Sequence, residues 1–101
     1  MTRTVSFEET ADEFVFICTI ENQTKKVFKV SKETLSVSAN QLFESMFYDL
    51  NQAPSFEFIE PANLEKTSKH VFQTVKQIVE KASEGIKQEW FDQSEELVAA
   101  E

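Results

Sequence analysis

The sequence predicts an α+β fold, a small three-stranded sheet packed with four to five helices, in a single domain over residues 1–101. Three observations lead there. Residues 14–20 and 27–30 are rich in β-branched and aromatic side chains, and Phe56 and Phe58 alternate with polar neighbours, which makes three strands. Two later stretches repeat apolar residues at helical spacing. With 101 residues, 41% of them hydrophobic and ten of them phenylalanine, the chain can bury one core and is too short for two.

Residues 1–11 are weakly patterned. Val5 and Phe7 alternate with polar residues, which suits either a short strand or a frayed terminus. Residues 12–20 form the clearest strand. Phe14, Phe16 and Cys18 share one face and Val15, Ile17 and Thr19 the other, so the strand is expected to be central or well covered. Residues 21–26 are polar and make a hairpin connection to the strand 27–30. Ser31 offers an N-cap, and Leu35 and Val37 close a short apolar turn. Ser38 followed by Gln41 is a capping-box pattern that starts a helix at Ala39. Its apolar residues Leu42, Phe43, Met46, Phe47 and Leu50 fall on one face.

Pro54 disfavours helix at Ala53, and the third strand runs over residues 55–59 until Pro61. Residues 63–66 read as a turn or a single helical turn. Thr67 or Ser68 caps the next helix, whose stripe is Val71, Phe72, Val75, Ile78, Val79 and Ala82, and Gly85 ends it. Trp90, Phe91, Leu97 and Val98 repeat the helical offsets, with a last short helix ending in ELVAA.

Composition narrows the function. A formal charge of −8 repels nucleic-acid backbones, so neither DNA nor RNA is an expected ligand. An acidic inhibitor or nucleic-acid mimic that blocks a basic site is the charged alternative. The acids thicken at the ends and lysines intersperse the middle, against the regular rows such a mimic wants. Gly85 is the only glycine, which leaves nothing to build a phosphate-cradling loop. Cys18 is alone and His70 is the only histidine, a poor ligand set for zinc, and no cofactor or metal is expected. Cys18 reads as a small buried hydrophobe. No motif supplies His70 with a nucleophile or an orienting acid, and Glu8-Glu9 and Glu95-Glu96 are adjacent pairs that read as solvated surface. An enzyme is not expected. The longest apolar run, FVFICTI, is too short to span a bilayer, and no apolar segment follows Thr2 and Arg3 as a signal peptide would require. An intracellular protein, cytoplasmic or nuclear, is the expectation.

The ordered series carries a resemblance. Asp12, the strand 14–20, the polar hairpin, the Phe28-centred strand, Ser38 ahead of Phe43-Glu44-Ser45-Met46-Phe47, and then FEFIEPANLEKTSKHVFQTVKQIVEKASEG resemble a BTB/POZ domain over residues 12–85. Skp1 and elongin C share that superfamily. The resemblance implies a protein–protein interaction module that self-associates as a homodimer or joins an adaptor assembly. Its close alternative is a Skp1- or elongin C-like adaptor that binds a receptor helix in a ubiquitin ligase. It implies partner contacts near Val5, Phe7, Leu35 and Val37 for self-association. For a cullin scaffold it implies Leu50 and Gln52, and the surface of Phe47, Tyr48 and Leu50 is expected to serve a different protein or the dimer. The chain stops before the helices that usually follow in that family.

Many members engage a cullin through the end of the helix equivalent to residues 42–50 and the loop after it, and some carry a hydrophobic-x-Glu motif there. Here Leu50-Asn51-Gln52 keeps the anchor and loses the carboxylate, which weakens any charge-assisted hydrogen bond. A pull-down on a cullin scaffold should therefore show weak or no capture by the wild type, and Gln52→Glu should gain binding if the site exists. Tight wild-type capture that Leu50→Asp abolishes would overturn the expectation.

Overall fold

The computed structural model describes all residues except 1, 21–23, 48–54, 85–95 and 99–101. Its centre is a four-stranded mixed sheet made from strands Thr2–Glu9 (β1), Glu13–Ile20 (β2), Thr24–Ser31 (β3) and a later strand, Ser55–Phe58 (β5). The spatial order is β3-β2-β1-β5. The first three strands form an antiparallel meander, and β5 returns to lie parallel to β1. A small second sheet pairs Ser36–Ser38 (β4) with Glu96–Val98 (β6). Two helices are described, Ala39–Met46 (α1) and Lys66–Glu84 (α2).

This corrects the expected three-stranded sheet with four to five helices. Residues 1–11, which the sequence left between strand and frayed end, supply β1. It is the strand that joins the meander to β5, so the sheet has four strands. The turn around Leu35 is not a helix. Leu35 sits at φ 54, its N–H bonds the Ser31 carbonyl at 2.8 Å, and β4 follows at once. Residues 62–63 form a turn with Asn63 at φ 61, a conformation asparagine tolerates, and Lys66, expected in that turn, already opens α2. The ELVAA segment places Glu96, Leu97 and Val98 in β6 opposite Ser38, Val37 and Ser36. Three residues in a ladder satisfy their backbone without the length a helix needs. The helix-ending role given to Gly85 lies outside the described residues.

The helix starts are more legible. Ser38 is the N-cap of α1, and its hydroxyl accepts from the Gln41 N–H at 3.4 Å. The helix closes at Met46, with the Phe47 N–H returning to the Phe43 carbonyl at 2.8 Å. No basic residue stands in its last turn. Arg3 supplies the charge from β1: the side chain is 2% exposed, and its guanidinium donates to the Met46 carbonyl. A cation there complements the negative end of the helix and satisfies a carbonyl with no intrahelical partner.

Alternation along each strand sorts the sheet into two faces. The inner face carries Arg3, Val5 and Phe7 on β1, Phe14, Phe16 and Cys18 on β2, Phe28 and Val30 on β3, and Phe56 and Phe58 on β5. Both helices pack here. Phe72 of α2 has its ring centroid 5.4 Å from Phe7, 5.9 Å from Phe58 and 6.3 Å from Phe16. Phe47, after α1, meets Phe56 at 5.3 Å. Leu42, Met46, Val71, Val75 and Val79 complete the fully buried set from the helix side.

Phe28 and Phe72 are fully enclosed in the core, whereas Phe43 is half-buried against it. Phe72→Ala should therefore cost about 3–5 kcal/mol and Phe43→Ala only about 1–2 kcal/mol. Urea unfolding midpoints of the two variants check this. Equal losses would contradict the packing.

Candidate interaction surface

Both described helices lie on the inner face of the sheet, so the other face has no helix over it among the described residues. The strand registers lay out that face row by row. One row runs Lys25, Thr19, Thr4, Glu57 across β3, β2, β1 and β5. The next runs Val27, Ile17, Ser6. It is extended by Ile59, one residue past the Val5–Phe58 pair, whose N–H bonds the Val5 carbonyl at 2.9 Å. The third is Lys29, Val15, Glu8.

The middle row stands out. Val27 and Ile59 are the large hydrophobics exposed among the described residues, each 50% exposed, and they sit at its two ends with half-buried Ile17 between. Val15 is buried, flanked in register by Glu8 and Lys29, whose stems can lie along it. Charge is polarised across the strands except for Glu13 on β2. Lys25 and Lys29 lie on β3, and Glu8 and Glu57 lie on β1 and β5. Lys29 finds Glu13 at 3.8 Å.

The residues expected to touch partners lie elsewhere. Val5, Phe7, Val37 and Phe47 belong to the buried core cluster, and Leu35 is half-buried against it. Tyr48, Leu50 and Gln52 lie outside the described residues. The fold thus does not gather these positions into one exposed patch among the described residues. Val27 and Ile59 could have been found from parity. Each is apolar on the opposite strand face from its aromatic neighbours, Phe28 in one case and Phe56 and Phe58 in the other.

Three other groups carry polar chemistry. Glu9, at the end of β1, accepts from the Ser68 hydroxyl at 2.6 Å and from Lys32 Nζ at 3.0 Å. The Ser68 bond, aided by Lys32 and opposed by burial, holds this carboxyl below its ordinary range. Ser68 lies in the first turn of α2, so the contact fastens that helix start to the sheet. Lys66, Lys69, His70 and Gln73 line a shallow open cleft beside the same turns. Among the described residues no group of three or more potential metal ligands occurs, and no helix is long and apolar enough to cross a membrane.

Comparison with known proteins returns no matching family model, no similar curated protein and no similar solved structure. The resemblance to BTB/POZ domains therefore rests on the ordered series of sequence features alone.

Cys18 occupies the inner face and is fully buried. Burial pushes its thiol up to about 11, with the Arg3 guanidinium pulling weakly the other way. The folded value lies above the unfolded one, so this contribution to stability is whole below about pH 9 and is lost as pH rises through about 11. At pH 8 the native protein should react with a thiol reagent at least about tenfold more slowly than the urea-unfolded chain. Equal rates would place Cys18 outside the core.

Proposed function

We propose that this chain is a protein–protein interaction module without catalytic chemistry, and that it binds through the uncovered face of its sheet. The observation that carries the reading is the row Val27, Ile17, Ser6, Ile59, with both exposed large hydrophobics at its ends. Apolar side chains left exposed and aligned on a regular surface are a common mark of a binding face. A four-stranded platform suits a sheet or helix of another protein better than a small molecule, which prefers a concave site.

The BTB/POZ resemblance points to the same class of function, self-association or adaptor assembly. That family's expected architecture is not carried over, since the sheet has a fourth strand and two helices are described. The acidic-inhibitor alternative fits the face poorly. Lys25 and Lys29 would oppose docking on a basic site, and an interface centred on Val27 and Ile59 should tolerate added salt.

Affinity capture with four baits tests the reading: wild type, Val27→Asp, Ile59→Asp, and Gln77→Asp on the exposed side of α2. The expected result is a set of bound proteins that wild type and Gln77→Asp share and that both face variants lose about tenfold or more. The same bound set with all four baits would remove the face from consideration.

A further inference from the structure

The uncovered face has a property that its apolar row does not explain. Apart from Glu13 on β2, which Lys29 already engages at 3.8 Å, its charges are sorted by strand: lysine on β3 at one edge, carboxylate on β1 and β5 toward the other. Lys25 and Glu57 end the same row, Lys25, Thr19, Thr4, Glu57. Three strand spacings, about 14 Å, separate those ends, so the two exposed charges cannot pair within one molecule and are largely screened from each other. The apolar row repeats the arrangement, with Val27 at one end and Ile59 at the other.

A surface whose two ends are complementary across its middle is complementary to itself after a half-turn. Consider two copies stacked face to face about a two-fold axis parallel to the strands. The rotation reverses the order of the strands and keeps each row at its own height. Lys25 of one copy then lies over Glu57 of its partner, and Val27 lies over Ile59, each contact occurring twice. Ile17 meets Ser6, and Thr19 meets Thr4, pairs of modest bulk that let the sheets approach the usual ~10 Å. The other simple two-fold, across the strands, would stack β3 on β3 and bring lysine onto lysine.

We propose, building on the interaction reading above, that the occupant of this face is a second copy of the chain, stacked about a two-fold axis parallel to the strands. Charge selects the axis, and the apolar row supplies the contact that charge alone would not. The face measures roughly 19 by 25 Å, about 400–500 Å² per copy, which places the pair among small, reversible interfaces. With a net charge of −8 on each copy, long-range repulsion opposes the approach, so association should strengthen as salt is added up to physiological levels.

The test is sedimentation of the full chain across concentration. Wild type should shift from monomer toward dimer between roughly 10 μM and 1 mM. Lys25→Glu and Glu57→Lys should each weaken the dimer about tenfold, because each sets like charges opposite one another twice. Mixing the two single variants should restore dimer. In the mixed pair the two reversed side chains face each other with opposite charge at one contact, and the unaltered Glu57 faces the unaltered Lys25 at the other. The double variant should also dimerise. Both positions are exposed, and circular dichroism is to check that each variant is folded. A monomeric wild type at about 1 mM, or a dimer indifferent to either charge reversal, or no recovery on mixing, would each overturn the proposal. If the wild type is monomeric while Val27→Asp and Ile59→Asp still lose captured proteins, the second copy fails as occupant and the interaction face stands. If capture is also unchanged, both fall.

Discussion

Everything in this fold hangs on one ring. Phe72 meets Phe7, Phe16 and Phe58, three phenylalanines from three different strands, at centroid separations of 5.4, 6.3 and 5.9 Å. Aromatic contacts of this kind add to the area each ring buries. They hold α2 across β2, β1 and β5 together, and so bind the parallel strand to the meander. Glu9 and Ser68 secure the same helix at its start, while Arg3 and Met46 tie β1 to the end of α1. Strand β1 is therefore the hub. It carries Arg3, Val5, Phe7 and Glu9 on alternate positions, and each has a separate role in the inner layer.

Those attachments all fall on one side. The two described helices pack on one face of the four-stranded sheet and bury it, and among the described residues no helix covers the other. An antiparallel meander accommodates this, since its strands alternate apolar and polar. Here the alternation is imperfect. Val15, Ile17, Val27 and Ile59 sit where polar residues would suffice for a monomer, and this surplus motivates the functional reading.

Elements with internal periodicity are legible in the sequence, and those that depend on distant partners are not. The stripe of α2 and the Ser38 cap of α1 are local signals, and both helices form where those signals lie. The expected cap at Thr67 or Ser68 misplaces the start of α2 by a turn or less, because Lys66 and Thr67 are helix-compatible and Glu9 reaches in from the sheet. Strand β1 is ambiguous in sequence because two apolar residues among polar ones carry little propensity. Its stability comes from pairing on both sides, a tertiary fact. Buried Arg3 is invisible for the same reason: an arginine near a chain end reads as solvated until a helix end is placed beside it. The candidate site escapes on different grounds. The sequence points to apolar residues that the core might not cover, and Val5, Phe7 and Val37 are the core itself. The exposed pair lies on strands whose aromatic faces draw attention away from the alternate positions.

The parallel pairing of β1 with β5 has a consequence for the birth of the protein. Thr2 and Ser55 are bonded neighbours across 53 positions of chain. The meander can form as soon as its turns are made, yet its aromatic face stays bare until β5 and α2 have been synthesised. At ordinary translation rates that interval lasts seconds, long compared with hairpin formation. During it, Phe7, Phe14, Phe16 and Phe28 stand on a half-built sheet whose β1 edge is open. Those rings are sheltered only when α2 closes over them, with Phe72 against Phe7 and Phe16.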